Sequence, residues 1–202
     1  VQNGEVDVAF RNTTVTSSRD GAVGVDFLPV TFYDGQGVMI KKGRARSLRE
    51  LEGATFCTTQ GTTNEKNISD YIRAQRWRNT KLLTFEDGQK VMNAFLEGRC
   101  DVFTADKSQL VGFKGTAPNP DQLEILRETI SKEPLAGMVR ENDSRWRDAL
   151  TWIVYATIQA EEFGITSMNL DQFLKSDSPD IRRFLGLEGT LGRDLGLPQD
   201  FV

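Results

Sequence analysis

The sequence contains no histidine, and this absence excludes several kinds of active site at once. Ser-His-Asp and Cys-His catalysis, His-ligated zinc and the usual general base at neutral pH all need this side chain. The two cysteines, Cys57 and Cys100, are too few for a zinc site made of cysteines alone. No apolar run approaches the roughly 18 residues of a membrane-spanning helix. Catalysis is not excluded by these absences, but it would need carboxylates, lysine or a cofactor. We predict no metal, no cofactor and no catalytic residues.

An excess of positive charge is also lacking. The 202 residues carry 25 basic and 29 acidic side chains, a net charge of -4. This balance argues against general attraction to nucleic acid or anionic lipid. The one basic cluster, at residues 41–49, has no aromatic residues interleaved for base stacking, so we interpret it as a solvated exit from a strand.

The chain does contain the alternation of strands and helices that is typical of an α/β fold. Apolar segments predict strands at 38–40, 54–58, 82–84, 100–104, 123–126 and 135–139, with helices between most of them. We expect residues 42–136 to form a parallel sheet with right-handed crossovers. Asp34, Gly35, Gln36 and Gly37 predict a turn, and a long helix is expected from Asp143 or Ser144 to Gly164.

Residues 11–20 form the first candidate anion-binding segment. Hydroxyls, backbone N–H groups and one guanidinium, on Arg19, occur within about ten positions, and an arginine can bind a carboxylate through two parallel hydrogen bonds. The alternative is an ordinary polar turn with a surface arginine.

The segment Gly61, Thr62 and Thr63 is a second candidate, because it lies between a predicted strand and a predicted helix. Helix N-termini attract anions through their free N–H groups and the helix dipole. The alternative is a capping box between Thr62 and Glu65. The segment has too few glycines for a nucleotide-binding loop.

Asp106 ends a predicted strand, where open α/β sheets place ligand-binding groups. Its carboxylate could accept hydrogen bonds from an ammonium group, or it could cap the helix that follows. Cys57 and Cys100 lie on strands that lead into these two loops. A disulfide between them would indicate an oxidising compartment, whereas two buried free thiols are the alternative.

A guanidinium, a helix N-terminus and a carboxylate together match an α-amino acid, which presents one carboxylate and one ammonium. Five segments then carry a family resemblance: NTTVTSSR at 12–19, DGQG at 34–37, TQGTT at 59–63, GRCDVFTAD at 98–106 and ISKEPL at 130–135. In these segments the chain resembles the periplasmic solute-binding components of amino-acid ABC transporters, in the general L-amino-acid-binding branch.

The resemblance implies a two-lobe, type II periplasmic binding fold, with lobe 1 at residues 1–40 and 138–202 and lobe 2 at 41–137. It implies hinge strands at 37–41 and 135–140. Arg19 and Thr14, with Thr62 and the Thr63 N–H, would bind the α-carboxylate, Asp106 the α-ammonium, and Asn12 would add a backbone contact. The expected partners are an L-amino acid and a membrane permease, and the expected location is the periplasm.

The resemblance implies that an initial segment of lobe 1 would come before residue 1 and that a terminal helix would come after residue 202. We therefore expect a member shortened at both ends, whose incomplete lobe 1 exposes a sheet edge with which another copy could pair. Two alternatives to amino-acid uptake remain at this point. One is a cyclic-acid dehydratase-like enzyme on the same scaffold, with Glu133 or Asp106 as its acid, and the other is an oligomerising protein that has lost the pocket.

Overall fold

The computed structural model describes all 202 residues, which divide into two compact units. Unit 1 consists of Val1–Thr31 and Ala136–Val202, and unit 2 consists of Phe32–Leu135. Two strands, β2 (Val25–Lys41) and β7 (Ser131–Arg140), carry the chain from one unit to the other. The predicted lobe boundaries near residues 40 and 138 lie within these strands, and the assignment of lobes stays a prediction.

Unit 2 alternates strands and helices, as expected for an α/β fold. After β2 come a short 3-10 helix (Leu48–Leu51), β3 (Thr55–Thr59), α2 (Thr63–Ala74), β4 (Lys81–Phe85), α3 (Gly88–Leu96), β5 (Val102–Asp106), α4 (Lys107–Thr116) and β6 (Leu123–Ile125). Strand β3 is parallel to β4 and β5. Strand β2 is antiparallel to both β5 and β6. The parallel arrangement predicted for residues 42–136 is therefore confirmed for β3, β4 and β5, whereas β2, which lies outside that range, inserts antiparallel between β5 and β6.

The core of unit 2 lies on both faces of this sheet, because successive strand residues point to opposite sides. Met39, Cys57 and Phe103 pack with α3 and α4 on one face. Their strand neighbours, which include Val38 and Phe56, pack with α2 on the other. Burial on both faces explains why these strands read as nearly continuous apolar runs.

Strand β2 continues through Asp34, Gly35, Gln36 and Gly37, so the turn predicted there is wrong. Neither glycine has a positive φ, so neither is present for a turn conformation. Both glycines instead allow neighbouring atoms to lie where a Cβ atom would otherwise be. A Cβ at Gly35 would lie 2.8 Å from the carbonyl oxygen of Ser131, and one at Gly37 would lie 2.7 Å from Cγ of Lys107.

Unit 1 contains β1, parts of β2 and β7, and all of the helices that follow β7. Strand β1 (Val8–Ala9) pairs antiparallel with β7, and α1 (Ser17–Ala22) precedes β2. The predicted long helix is confirmed as α5 (Ser144–Phe163), which Asp143 caps and Gly164 ends in a left-handed conformation. Three short helices follow: α6 (Leu170–Phe173), α7 (Pro179–Phe184) and α8 (Leu191–Asp194). No helix in either unit combines the length and the apolar character needed to cross a bilayer.

Candidate ligand-binding site

Three predicted ligand residues, Asn12, Thr14 and Arg19, lie in unit 1. Thr14 is buried, with 5% of its surface exposed, whereas Asn12 is exposed. The half-buried Arg19 lies in α1, and its Nη1 donates a hydrogen bond of 2.8 Å to the carbonyl oxygen of Thr14. This contact holds the guanidinium beside the backbone of Thr14. Because a guanidinium has five N–H donors, it leaves others for an anionic ligand.

Helix α1 is set by its N-cap. Thr16 has extended backbone angles, and its hydroxyl oxygen accepts a hydrogen bond of 3.3 Å from the backbone N–H of Arg19. An N-cap hydroxyl of this kind satisfies an N–H group that has no partner within the helix. Thr16 therefore fixes the start of α1, and α1 in turn fixes the backbone position from which the Arg19 side chain extends.

The first turn of α2 places Thr62 and Thr63 in unit 2. Thr62 is the N-cap, and its hydroxyl oxygen accepts from the Glu65 N–H at 3.2 Å. A carboxylate oxygen of Glu65 accepts from the Gly61 N–H at 2.6 Å, which completes the capping box. The hydroxyl of Thr62 also donates to the carbonyl oxygen of Thr59 at 2.7 Å. Its single proton is therefore committed to the loop in this conformation.

Thr63 is held differently, through a buried carboxylate. Its hydroxyl donates 3.0 Å to Oε2 of Glu133, which is 1% exposed and lies on β7. The other carboxylate oxygen of Glu133 accepts from Nδ2 of Asn67 at 2.7 Å and from the hydroxyl of Ser131. A buried carboxylate needs such donors to offset its loss of hydration. These hydrogen bonds fix the first two turns of α2 to β7.

Asp106 occupies the N-cap position of α4 without capping the helix through its side chain. Asp34 takes over this role from strand β2, because its Oδ2 accepts from the backbone N–H of Ser108 at 3.1 Å. Asp106 is 1% exposed, and its carboxylate accepts from Nδ2 of Asn64 at 3.1 Å. The sequence allowed Asp106 either to bind an ammonium group or to cap α4, and capping of α4 by its side chain is not observed.

Asn64 belongs to a buried polar group that we call the amide network, formed by Gln36, Asn64, Thr104 and Asp106. The side-chain Nε2 of Gln36 donates to the carbonyl oxygen of Asn64 and to the hydroxyl of Thr104, both at 2.9 Å. The side-chain oxygens of Gln36 and Asn64 have no hydrogen-bond partner. The network thus joins three elements, β2, α2 and β5, around Asp106.

Behind these loops, a disulfide links Cys57 on β3 to Cys100 just before β5, with 5.9 Å between their Cα atoms. Both residues are buried in the core cluster on the α3 and α4 face. The predicted disulfide is therefore present, and the chain has no free cysteine. The bridge ties the strands that lead into the Thr62 loop and to Asp106.

Comparisons with known proteins identify relatives of the chain. No family model matches the chain. It is 48% identical to the general L-amino acid-binding periplasmic protein AapJ of Rhizobium johnstonii, over 100% of this chain and 60% of the relative. It is 44% identical to the glutamate/glutamine/aspartate/asparagine-binding protein BztA of Rhodobacter capsulatus, over 99% of this chain and 60% of that protein.

One solved structure is also similar to this chain. An ABC transporter periplasmic binding protein from Brucella ovis, with glutathione bound, matches with a TM-score of 0.94 and 45% identity, over 98% of this chain and 63% of that one. Over almost its whole length the chain is similar to periplasmic amino-acid-binding proteins of ABC transporters. Its fold is the type II periplasmic binding fold, as the resemblance predicted. The chain spans about 60% of the length of the curated relatives named above.

Within this periplasmic binding fold, sequence reasoning missed Asp34 and Gln36 as parts of the site. Both were interpreted as turn residues because glycines follow them. A glutamine inside a strand that is otherwise buried was the signal that could have identified the amide network, since a buried amide needs hydrogen-bond partners. Glu133 was considered only as the acid of an alternative enzyme, whereas in the structure it anchors α2.

Two surface cavities of the chain are lined by residues other than the predicted ligand residues. One of about 630 Å³ is lined by residues that include Lys41, Lys42, Leu96 and Asp121, and another of about 380 Å³ by residues that include Trp152 and Tyr155. Neither contains a predicted ligand residue. The predicted ligand residues therefore lie outside these two cavities.

Proposed function

We propose that this chain carries the solute-recognition function of its family, by binding an L-amino acid for uptake through an ABC transporter. The observation that carries the proposal is the buried carboxylate of Asp106, which lies at a helix N-cap position and yet does not cap the helix. A buried carboxylate attracts a nearby cation strongly because water screens its charge poorly, and an α-ammonium provides both a positive charge and N–H donors. In this proposal Asp106 binds that ammonium.

The α-carboxylate of the ligand would be bound by Arg19 and Thr14. The contact between Arg19 and the carbonyl oxygen of Thr14 orients the guanidinium before a ligand arrives, and such preorganisation lowers the entropic cost of binding. We propose that Thr62 and the N–H of Thr63 support this carboxylate and that Asn12 adds a backbone contact. For Thr62 the contact would require its hydroxyl proton to leave Thr59.

A binding role without catalysis fits the relatives, because AapJ and BztA are named as binding proteins. The buried disulfide fits an oxidising compartment, and we propose the periplasm as the location. The permease of an ABC transporter is the proposed partner. Pairing of two copies through a sheet edge stays a prediction.

Isothermal titration calorimetry with a panel of L-amino acids tests the proposal. We expect Arg19→Ala to weaken binding of any responding ligand by roughly 30-fold or more, because truncating one side of a charge-assisted contact typically costs about 2 kcal/mol or more. Arg11→Ala is the matched control, since Arg11 is exposed in the same segment, and it should change the affinity by less than about twofold. Equal affinities of the wild type and Arg19→Ala would remove Arg19 from its role.

A further inference from the structure

Gln36 has no ligand role in the function proposed above, yet its side chain is completely buried beside Asp106. We propose that Gln36 is a positioning residue for ammonium recognition. Its amide holds the first turn of α2 against β5, so that Nδ2 of Asn64 stays directed at the carboxylate of Asp106. The inference rests on the proposed ammonium-binding role of Asp106.

The hydrogen bonds determine the orientation of the Gln36 amide. The hydroxyl of Thr104 donates its single proton to the carbonyl oxygen of Gly37 at 2.7 Å, so toward Gln36 it can only accept. The backbone carbonyl of Asn64 also can only accept. Both contacts therefore require the NH₂ end of the Gln36 side chain. A flipped amide would place its oxygen against two acceptors.

The orientation of the Asn64 amide follows in the same way. Its contact with Oδ1 of Asp106 at 3.1 Å requires an N–H donor, because an ionised carboxylate only accepts. The side chain of Asn64 is 6% exposed, so water has little access to compete for this donor. Asn64 therefore provides Asp106 with a directional hydrogen bond whose geometry depends on where α2 begins.

Gln36 and Asp106 are themselves held by the sheet, since their Cα atoms are paired in the antiparallel ladder of β2 and β5. Helix α2 has no such ladder. Polar contacts connect its first turns to strands, among them those of Glu133 with Thr63 and Asn67, and that of Gln36 with the carbonyl oxygen of Asn64. Of these, Gln36 acts on the residue that contacts Asp106.

The side-chain oxygen of Gln36 allows a positioning role to be distinguished from a role in stabilising the fold. This buried oxygen has no partner, which costs free energy that an apolar side chain would avoid. In Gln36→Met no donor loses its acceptor, because the hydroxyl of Thr104 still bonds to Gly37. The carbonyl of Asn64 still has its partner within the helix. We therefore expect this variant to keep its stability and to lose ligand affinity.

The experiment compares the wild type with Gln36→Met and with Thr58→Val. The hydroxyl of Thr58, 1% exposed, donates to the carbonyl oxygen of Thr104 at 2.9 Å, so its removal deletes a buried hydrogen bond to β5 that does not involve α2. Calorimetric titrations with L-glutamate and L-glutamine measure affinity, and urea unfolding measures stability. Gln36→Leu serves as a second apolar variant if methionine packs poorly.

We expect Gln36→Met to weaken binding about tenfold at an unchanged urea midpoint, an effect within the range of coupled neighbours. Thr58→Val should lower the midpoint and leave the affinity within about twofold. Unchanged affinity in Gln36→Met, or an equal loss in Thr58→Val, would overturn the inference.

A measurement without ligand separates this inference from the proposed function. In nuclear magnetic resonance spectra, the side-chain amide protons of Asn64 should exchange slowly with solvent in the wild type and in Thr58→Val, and faster in Gln36→Met. Equal protection in all three proteins would overturn the inference, even if the wild type binds neither amino acid. Absence of binding by a wild type whose Asn64 amide is protected would refute only the proposed function for these two ligands.

Discussion

Reduction of the disulfide between Cys57 and Cys100 should lower the stability of unit 2 substantially. The bridge closes a loop with a sequence separation of 43 residues, and both sulfur atoms lie in the buried cluster against α3 and α4. Reduction keeps these sulfur atoms in the core. It therefore removes the chain constraint with little change in packing, which makes the effect calculable.

The magnitude follows from the entropy that the cross-link removes from the unfolded chain. For a loop of this length the chain-entropy model gives about 4 kcal/mol at 25 °C. A native domain is stable by only about 5 to 15 kcal/mol, so the loss is a large fraction of the total. The unfolded chain also becomes more extended without the cross-link, and we expect a steeper dependence of unfolding on urea.

Urea unfolding with and without a reductant measures this loss. Trp77 provides a fluorescence signal from unit 2, because its ring packs against Tyr71 with 5.4 Å between centroids. The double variant Cys57→Ala/Cys100→Ala is the control, and its unfolding curve should not respond to the reductant. Identical curves for oxidised and reduced wild type would refute the reasoning, as would two titratable thiols per chain under denaturing, non-reducing conditions.

Three further predictions concern single side chains of unit 2. Asp34→Ala should lower the free energy of unfolding by about 1 kcal/mol, because α4 loses its substitute cap. Gly35→Ala should cost about 1 to 3 kcal/mol through overpacking, whereas Gly112→Ala, in a helix with open space around its Cβ, should stabilise by about 0.5 to 1 kcal/mol. The pKa of Tyr71 is raised above its ordinary value of 10.0, mainly by burial and to a smaller extent by the negative charge of Glu128. The stability that neutral Tyr71 contributes should therefore be complete below about pH 10 and disappear as the pH rises through the higher folded-state pKa.

Thermal unfolding and urea titration test these predictions with different controls. For Asp34→Ala, the exposed carboxylate of Asp200 provides a comparison, and equal effects of Asp34→Ala and Asp200→Ala would contradict the capping role. The two glycine variants control each other, and a loss of stability in both would show that local space is not decisive. For Tyr71, unfolding free energies between pH 9 and 11 should fall less steeply in Tyr71→Phe; parallel pH profiles would exclude its contribution.

Much of the candidate site could be predicted from residue types. Arg19, Thr62, Thr63 and Asp106 each stand at the end of a strand or at the start of a helix, where local pattern is informative. The hydrogen bond from Arg19 to Thr14 spans only five residues. The assignment of each group to a part of the ligand came from the resemblance to a family and stays a proposal.

The remaining part of the site depends on contacts between residues far apart in sequence. Asp34 caps α4 through a residue 74 positions away, and Glu133 holds Thr63 across 70. Such pairings follow from strand order and register, which no local pattern specifies. Local pattern also predicted a turn at Gly35 and Gly37, although this segment lies inside β2.

The sequence by itself determined the alternation of strands and helices, the absence of histidine-based chemistry and the family resemblance, because these depend on composition and on local periodicity. The tertiary structure decided that β2 is antiparallel, that Asp106 does not cap α4 and that Gln36 joins α2 to β5. The physical reason is that hydrogen bonding of a buried polar group is settled by whichever partners the fold brings to it. The carboxylate of Asp106 at the N-cap position does not cap α4 because another residue, Asp34, accepts from the helix N–H of Ser108.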